Sequence, residues 1–151
     1  MYEVMLLLLV YIIAISCMEV KITSDELAET LNKLMEDYTG AVTEIVNEQA
    51  KNTAEWSSDE LKKGGPYRER TGKYTKDWDS KIREKKVSKL TGEVTYSVYN
   101  KKHYQLTHLL EKGHVKRNGS GRVRAFEHIA PVEKEAEERF VKGISEGIER
   151  L

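Results

Sequence analysis

The chain has 151 residues, enough for one domain with a buried core. Its 25 basic and 25 acidic side chains sum to zero charge, which argues against a protein that binds polyanions through its overall charge. The single cysteine, Cys17, excludes a disulfide framework and a cysteine-based zinc site. We therefore expect one compact unit that is stabilised neither by disulfide bonds nor by zinc bound to cysteines.

The charges are distributed unevenly along the chain. Residues 19–60 hold eleven acidic and three basic side chains, residues 61–89 hold four acidic and eleven basic ones, and residues 101–128 hold two and seven. The chain thus has an acidic first part and a basic middle. Such a chain can pair head to tail with copies of itself as readily as with nucleic acid. The charge distribution alone does not distinguish these two kinds of partner.

The first residues, MYEVMLLLLVYIIAISC, resemble a targeting segment. The apolar run 4–16 is shorter than the roughly 20 residues that span a bilayer as a helix. No basic residue precedes Lys21, although a secretory signal normally opens with one, and the residues before Cys17 resemble a lipoprotein cleavage site only loosely. We expect an apolar N-terminal extension over residues 1–17, outside the domain proper, and a domain over residues 18–151, with export or lipid anchoring as the alternative.

A long amphipathic helix is predicted next. Thr23 and Glu26 form a capping-box pattern. From Ser24 onward apolar positions recur in steps of three and four, at Leu27, Leu31, Leu34, Tyr38, Val42, Ile45, Gln49 or Ala50, and Trp56. A helix over residues 25–55 would be roughly 45 Å long, with a candidate bend at Gly40. A helix of that length must project beyond a small core or pack on a neighbour.

A break and two strands follow the helix. The run Gly64-Gly65-Pro66 ends it and begins a basic, glycine-containing loop. The alternation of GEVTYSVYN, residues 92–100, predicts a strand with one buried face, and Gly92 turns the chain from an antiparallel partner near residues 76–86.

Two helices complete the predicted fold. Residues 103–112 form a short helix that stops at Gly113, and the Asn118-Gly119 turn then predicts a basic hairpin or a disordered finger. Pro131 opens the last helix, whose apolar stripe comprises Val132, Ala136, Phe140, Ile144, Ile148 and Leu151. The predicted class is α+β: a long N-terminal helix, a small antiparallel sheet, a short central helix and a C-terminal helix in a single domain.

The four histidines all lie between residues 103 and 128, which raises the question of a metal or nuclease centre. His103 and His108 have a zinc-like spacing, but five residues of helix turn the two rings about 140° apart. His114, Asn118 and His128 follow the order of a His-Asn-His nuclease, yet the spacing is loose and Asn118 has a local role in its turn.

Other possible chemical motifs are weak. Asp77 and Asp79 flank Trp78 and would share a strand face, which suits a solvated surface as well as acid–base catalysis. The run GSGRVR lacks the ending and the setting of a phosphate-binding loop. We predict no catalytic residue, no metal and no cofactor.

A phosphate-contacting surface is the more serious alternative. The candidate residues are Lys62, Lys63, Arg68, Arg70, Lys73, Lys116, Arg117, Arg122 and Arg124. Because the net charge is zero, solubilising loop charges or partners for the acidic helix of an adjacent subunit explain these residues better. A basic nucleic-acid-binding or His-Asn-His-like nuclease module remains the alternative function.

The order of the segments resembles a known family. The segments are, in order, a long N-terminal helix, RTGKYTKDW, GEVTYSVYN, HYQLTHLLEKGH, a basic turn, and HIAP before a last helix. In this order they are similar to the head–tail joining proteins of long-tailed bacteriophages, also called neck, tail-completion or minor tail-component proteins. Arg70-Thr71-Gly72 and Trp78 contribute to the resemblance, which covers residues 18–151. Its most specific residues are Tyr104, His108, Leu109, Leu110, Glu111, Gly113, His114, His128 and Pro131.

The resemblance implies a structural protein without catalytic residues. It implies a ring of identical subunits in the virion, between the portal–connector and the tail tube, assembled in the host cytoplasm without membrane contact and enclosing the path of genomic DNA. We expect the basic loops 62–73 and 116–124 to contact DNA or the next ring and to become ordered on assembly.

Overall fold

The computed structural model describes residues 22–88 and 91–151. The chain divides into two compact units, Met1–Glu36 and Asp37–Leu151. The predicted extension 1–17 and the predicted domain start at Met18 lie outside the described residues.

The described residues form four helices and four strands, which confirms the α+β class. The helices are α1 (Ser24–Lys62), α2 (Lys73–Lys76), α3 (Tyr104–Lys112) and α4 (Ile129–Ile148). The strands are β1 (Trp78–Val87), β2 (Gly92–Asn100), β3 (His114–Val115) and β4 (Arg122–Val123). None of the described helices has the length and hydrophobicity needed to cross a membrane.

Helix α1 begins as the capping box predicts and ends later than predicted. The Thr23 amide and hydroxyl donate to Glu26 Oε2 at 2.9 and 2.8 Å. The helix is uninterrupted at Gly40 and continues to Lys62. In its final turns Ser57 and Ser58 are buried, and their hydroxyls donate to carbonyls of the same helix, which satisfies these buried polar groups.

The apolar stripe of α1 is exposed in the first unit. Leu27, Leu31, Leu34 and Met35 are 46%, 51%, 63% and 62% exposed. Within the second unit, Val42, Ile45 and Trp56 are half-buried and Leu61 is buried.

Strands β1 and β2 form an antiparallel hairpin paired from Trp78↔Asn100 to Val87↔Gly92, with an irregularity between Ile82 and Glu84. Strand β2 matches its predicted bounds. The predicted first strand began too early, because Lys76 ends α2. Asn47 of α1 holds the hairpin: its Nδ2 donates to the Gly92 carbonyl and its Oδ1 accepts the Val94 amide at 3.1 Å.

The core lies where the end of α1, helix α2 and the start of β1 meet. Its buried side chains are Leu61, Tyr74 and Trp78. The partly buried residues packed on them are Tyr67, Val98, Leu110, Ile129 and Val132. Loop, sheet and both later helices therefore contribute to one small core.

Helix α4 packs closely on α1. A Cβ added at Gly143 would collide with Gln49 Oε1, and one at Gly147 would lie 2.5 Å from Ile45 Cγ2. The predicted stripe of α4 is half-buried from Val132 to Ile148, but Leu151 lies beyond the helix and is 62% exposed, so its inclusion was wrong.

Helix α4 also starts before Pro131, which occupies its first turn rather than its first position. Helix α3 ends at Lys112 and is followed by Gly113 at φ 68°, as the stop signal predicts. The basic segment forms a hairpin, with His114 opposite Val123 and Val115 opposite Arg122.

Candidate interaction site

His128 is the central polar residue of the core, with a side chain 2% exposed. Its Nδ1 lies 2.9 Å from the Phe126 carbonyl and 3.0 Å from Glu111 Oε2. Both neighbours are acceptors, so Nδ1 must carry a proton. Its Nε2 lies 2.8 Å from the Tyr74 hydroxyl, which donates to it when the ring is neutral. His128 thus connects α2, α3 and the start of α4.

Glu111 caps α4 from the neighbouring helix α3. Its Oε2 accepts the amides of His128 and Ile129, and its Oε1 accepts that of Ala130, all at 2.9 Å. Burial raises the pKa of Glu111, but these amide donors outweigh burial and the pKa lies below its ordinary 4.5. The charged carboxylate therefore stabilises the start of α4, where amides lack intrahelical partners, and this explains why α4 begins before Pro131.

Aromatic rings surround His128 in edge-to-face contacts. The centroid of Tyr67 lies 4.9 Å from that of His128, and those of Tyr74 and Trp78 lie 5.7 Å apart. Burial, with the nearby Glu69 charge, raises the pKa of Tyr67 to about 12, and burial also raises the pKa of Tyr74. Both hydroxyls therefore stay protonated at neutral pH.

Asn100 and Glu69 fix the elements around this cluster. Buried Asn100 donates to the Tyr74 carbonyl at 2.7 Å and accepts the His103 amide at 2.8 Å, which joins the end of β2 to α2 and to the start of α3. Glu69 accepts the amides of Tyr74 and Thr75 and the Thr75 hydroxyl. The sequence does not reveal either role, because the hydrogen-bond partners of both residues come close only through the tertiary fold or through an irregular loop.

A surface cleft opens between the loop 67–71 and α3, and we call it the loop–helix cleft. Its volume is about 210 Å³. The lining residues are Tyr67, Arg68, Glu69, Arg70, Thr71, Tyr74, His103, Leu106 and Leu110. Arg68 and Arg70 are exposed, and neither forms an ion pair with any residue that the structure describes. The cleft therefore combines an apolar lining with two free guanidinium groups.

The predicted signature residues divide into two groups. Glu111 and His128 contact each other, Leu110 packs on the core, and the Leu109 carbonyl lies 3.5 Å from His114 Nδ1. The other group, Tyr104, His108 and Pro131, is exposed.

Gly113 belongs to the first group. A Cβ there would lie 2.5 Å from the Val123 carbonyl oxygen and 2.9 Å from the Ala125 amide. Its positive φ and the close backbone passage of β4 both require glycine.

The first predicted basic loop is partly helical. Lys62 lies in the last turn of α1 and pairs with Asp59 at 2.8 Å, and Lys63 pairs with Glu60. Lys73 is the first residue of α2 and is exposed. The expectation of a free loop beginning at residue 62 is therefore wrong, and the exposed unpaired cations of this region begin at Arg68.

The β3–β4 hairpin presents four exposed cations, Lys116, Arg117, Arg122 and Arg124. None forms an ion pair within the described part of the chain, and the Arg124 guanidinium lies 4.7 Å from the centre of the Phe126 ring. Asn118 Oδ1 accepts the Ser120 amide at 3.1 Å, which is the local turn role predicted for it. Asn118 and His128 are thus engaged in different environments, one in a turn and one in the core.

The other candidate chemical groups are engaged in pairs. Asp79 lies 2.7 Å from Lys101 Nζ, which lowers the pKa of that carboxyl, and Asp77 lies 3.4 Å from His103 Nε2. Asp77 caps the end of α2, so the predicted shared strand face does not form. Within residues 22–88 and 91–151, no three histidine, cysteine or carboxylate side chains are grouped so as to hold a metal ion.

Comparison with known proteins identifies one family. The model of the bacteriophage HK97-gp10-like family, described as a tail component, matches residues 25–113. The match includes α1, α2, the β1–β2 hairpin, α3 and Gly113. No curated protein and no solved structure matches the chain.

Proposed function

Because the chain belongs to the HK97-gp10-like family of bacteriophage tail components, we propose that it joins head to tail, or completes the tail, as a ring in the neck of the virion. In this role copies of the chain lie between the portal–connector and the tail tube, after assembly in the host cytoplasm. The family match over residues 25–113 carries the proposal, since it includes the long helix and the complete cap-forming helix α3.

The surface of the chain supports self-assembly. Four large apolar side chains of α1 are between 46% and 63% exposed in the first unit. Contiguous exposed apolar residues commonly mark a protein interface. The proposed role is therefore structural, without a catalytic step.

The basic β3–β4 hairpin is the proposed DNA contact in the lumen of the ring. Its four cations are exposed and unpaired among the described residues, and its turn contains Gly119 and Gly121 at positive φ. Exposed cations on such a loop can contact a phosphate backbone without reading bases.

Particle assembly tests the proposal. The variant combines Lys116→Gln, Arg117→Gln, Arg122→Gln and Arg124→Gln, and it should complement a phage or prophage lacking this gene poorly. Electron microscopy should show separate heads and tails, with unchanged circular dichroism of the purified variant. The control is Lys62→Gln with Lys63→Gln, which removes two cations that already pair with Asp59 and Glu60. Normal infectious particles from the hairpin variant would argue against its role in joining.

Mass measurements on purified protein separate this role from a nuclease module. A metal-free ring, or a monomer that forms rings only with virion partners, is expected of a neck protein. A bound metal together with DNA cleavage would favour the nuclease instead.

A further inference from the structure

Helix α1 carries an exposed apolar face in its first turns. Leu27, Leu31, Leu34 and Met35, which we call the α1 apolar face, lie on one side because they recur in steps of three and four. The same part of the helix, from Ser24 to Glu36, holds four carboxylates and one lysine. A partner for this face should offer apolar surface and positive charge.

The charge of α1 disfavours pairing with the same helix of a second copy. Two copies of Ser24–Glu36 would bring together segments that each carry a net charge of −3, from four acidic residues and one basic residue. Like charges across an interface cost binding energy and redirect association toward an oppositely charged surface. A head-to-tail contact with a basic surface avoids this repulsion.

The loop–helix cleft has the matching properties. Leu106 is 41% exposed and Leu110 lies deeper against the core, so the cleft has an apolar floor. Its volume of about 210 Å³ exceeds the roughly 10–15 Å³ needed by one water many times over, which is room for a leucine or methionine side chain. Arg68 and Arg70 at its edge supply the positive charge.

We propose that the α1 apolar face of one copy binds the loop–helix cleft of the next copy, with Leu34 or Met35 inserted between the loop 67–71 and α3. The contact rests on the proposed neck ring and identifies its subunit interface. Because the two surfaces are different, a bound pair of copies leaves one α1 apolar face and one loop–helix cleft free, and repetition of the contact closes a ring when the rotation allows it.

Cysteine cross-linking tests the contact directly. In a Cys17→Ser background, one chain carries Met35→Cys and a second carries Leu106→Cys, both at exposed positions that should tolerate substitution. Mixed and oxidised, the two variants should form a disulfide-linked pair, and a chain with both cysteines should form a ladder of multiples. Val141→Cys replaces Leu106→Cys in the control, since Val141 is 61% exposed and outside the cleft. Equal cross-linking of both pairs would overturn the contact.

Charge reversal gives an independent reading in solution. Arg68→Glu with Arg70→Glu should weaken self-association by about tenfold or more, as should Glu36→Lys with Asp37→Lys, and the four changes together should recover part of the loss. Sedimentation measures the association, and circular dichroism confirms that each variant folds.

The outcomes separate this contact from the neck role. If neither the arginine variant (Arg68→Glu with Arg70→Glu) nor the acidic variant (Glu36→Lys with Asp37→Lys) changed self-association, the contact would be overturned. The proposal of a ring would not be affected. A wild-type protein that stays monomeric at high concentration, together with Met35→Cys and Leu106→Cys chains that form no disulfide-linked pair, would also overturn the contact. The neck role is tested separately, by particle complementation with the hairpin variant.

Discussion

Glu111 shows how one carboxylate can organise two helices. Replacing it with glutamine removes the charge that three amides of the α4 start share. We expect Glu111→Gln to lower the free energy of unfolding by about 1–3 kcal/mol, because hydrogen bonds to a charged group contribute more to stability than those to a neutral one. Urea denaturation at neutral pH measures the loss. Glu127→Gln is the matched control, since Glu127 is exposed in the same segment and makes the same charge change.

The pH dependence follows from the direction of the Glu111 shift. Its folded pKa lies below the ordinary value of 4.5, so its stabilisation is complete above that value and disappears as pH falls through the folded pKa. The difference in unfolding free energy between the wild type and Glu111→Gln should therefore shrink in acid. A difference that stayed constant from neutral pH to strong acid would contradict the charged cap.

Gly113 separates two reasons for requiring glycine. Gly113→Ala places a methyl group against the Val123 carbonyl and also strains a residue at φ 68°. Gly119→Ala also puts an alanine at a positive φ of 72°, but nothing lies within 4 Å of the added Cβ. Strain alone costs on the order of 1–3 kcal/mol, so Gly113→Ala should lower the melting temperature clearly more than Gly119→Ala. Equal decreases in melting temperature for the two variants would mean that the backbone of β4 can move away from the added methyl group without loss of stability.

At the scale of elements, a single asparagine docks the β1–β2 hairpin on α1. Asn47→Ala removes hydrogen bonds to the Gly92 carbonyl and the Val94 amide, so we expect a loss of about 1–3 kcal/mol in unfolding free energy. Faster hydrogen exchange at the Val94 amide should accompany it while α1 stays helical. Asn52→Ala, an exposed change on the same helix, should leave both quantities unchanged.

The elements were predictable where the signal is local. The capping box at Thr23, the glycine stop at Gly113 and the alternation of GEVTYSVYN each depend on neighbours in sequence, and the structure contains all three. The predicted end of α1 and the predicted start of α4 were wrong, because both depend on residues that are distant in sequence. Ser57 and Ser58 are buried by tertiary packing, and the cap of α4 comes from Glu111 in another helix.

The candidate site was predictable in its residues more than in its contacts. Glu111, Gly113 and His128 stand out in the sequence, but their mutual geometry arises only when α3, α4 and the loop between them are folded. Tyr67, Tyr74 and Asn100 were missed because an aromatic or amide residue in a basic loop or at a strand end carries no pattern that names its distant partner. The loop–helix cleft likewise depends on how the loop 67–71 packs on α3.

At the scale of the whole molecule, the zero net charge conceals separate charged surfaces. An acidic α1 and basic loops can attract oppositely charged surfaces of other copies, although the charges of the whole chain sum to zero. The proposed DNA contact involves one hairpin, so we expect the salt dependence of DNA binding to depend mainly on the cations of that hairpin.

The salt dependence of duplex DNA binding tests the lumen contact at this scale. Each neutralised phosphate contributes about −0.9 to the slope of the logarithm of the association constant against the logarithm of salt concentration. Arg117→Gln with Arg122→Gln should therefore reduce the magnitude of that slope by about 2, measured by fluorescence anisotropy of a labelled duplex. Lys62→Gln with Lys63→Gln changes the same charge but removes cations already paired with Asp59 and Glu60, so it should have less effect. Equal slopes for the wild type and the hairpin variant would exclude DNA as its partner and favour the adjacent ring.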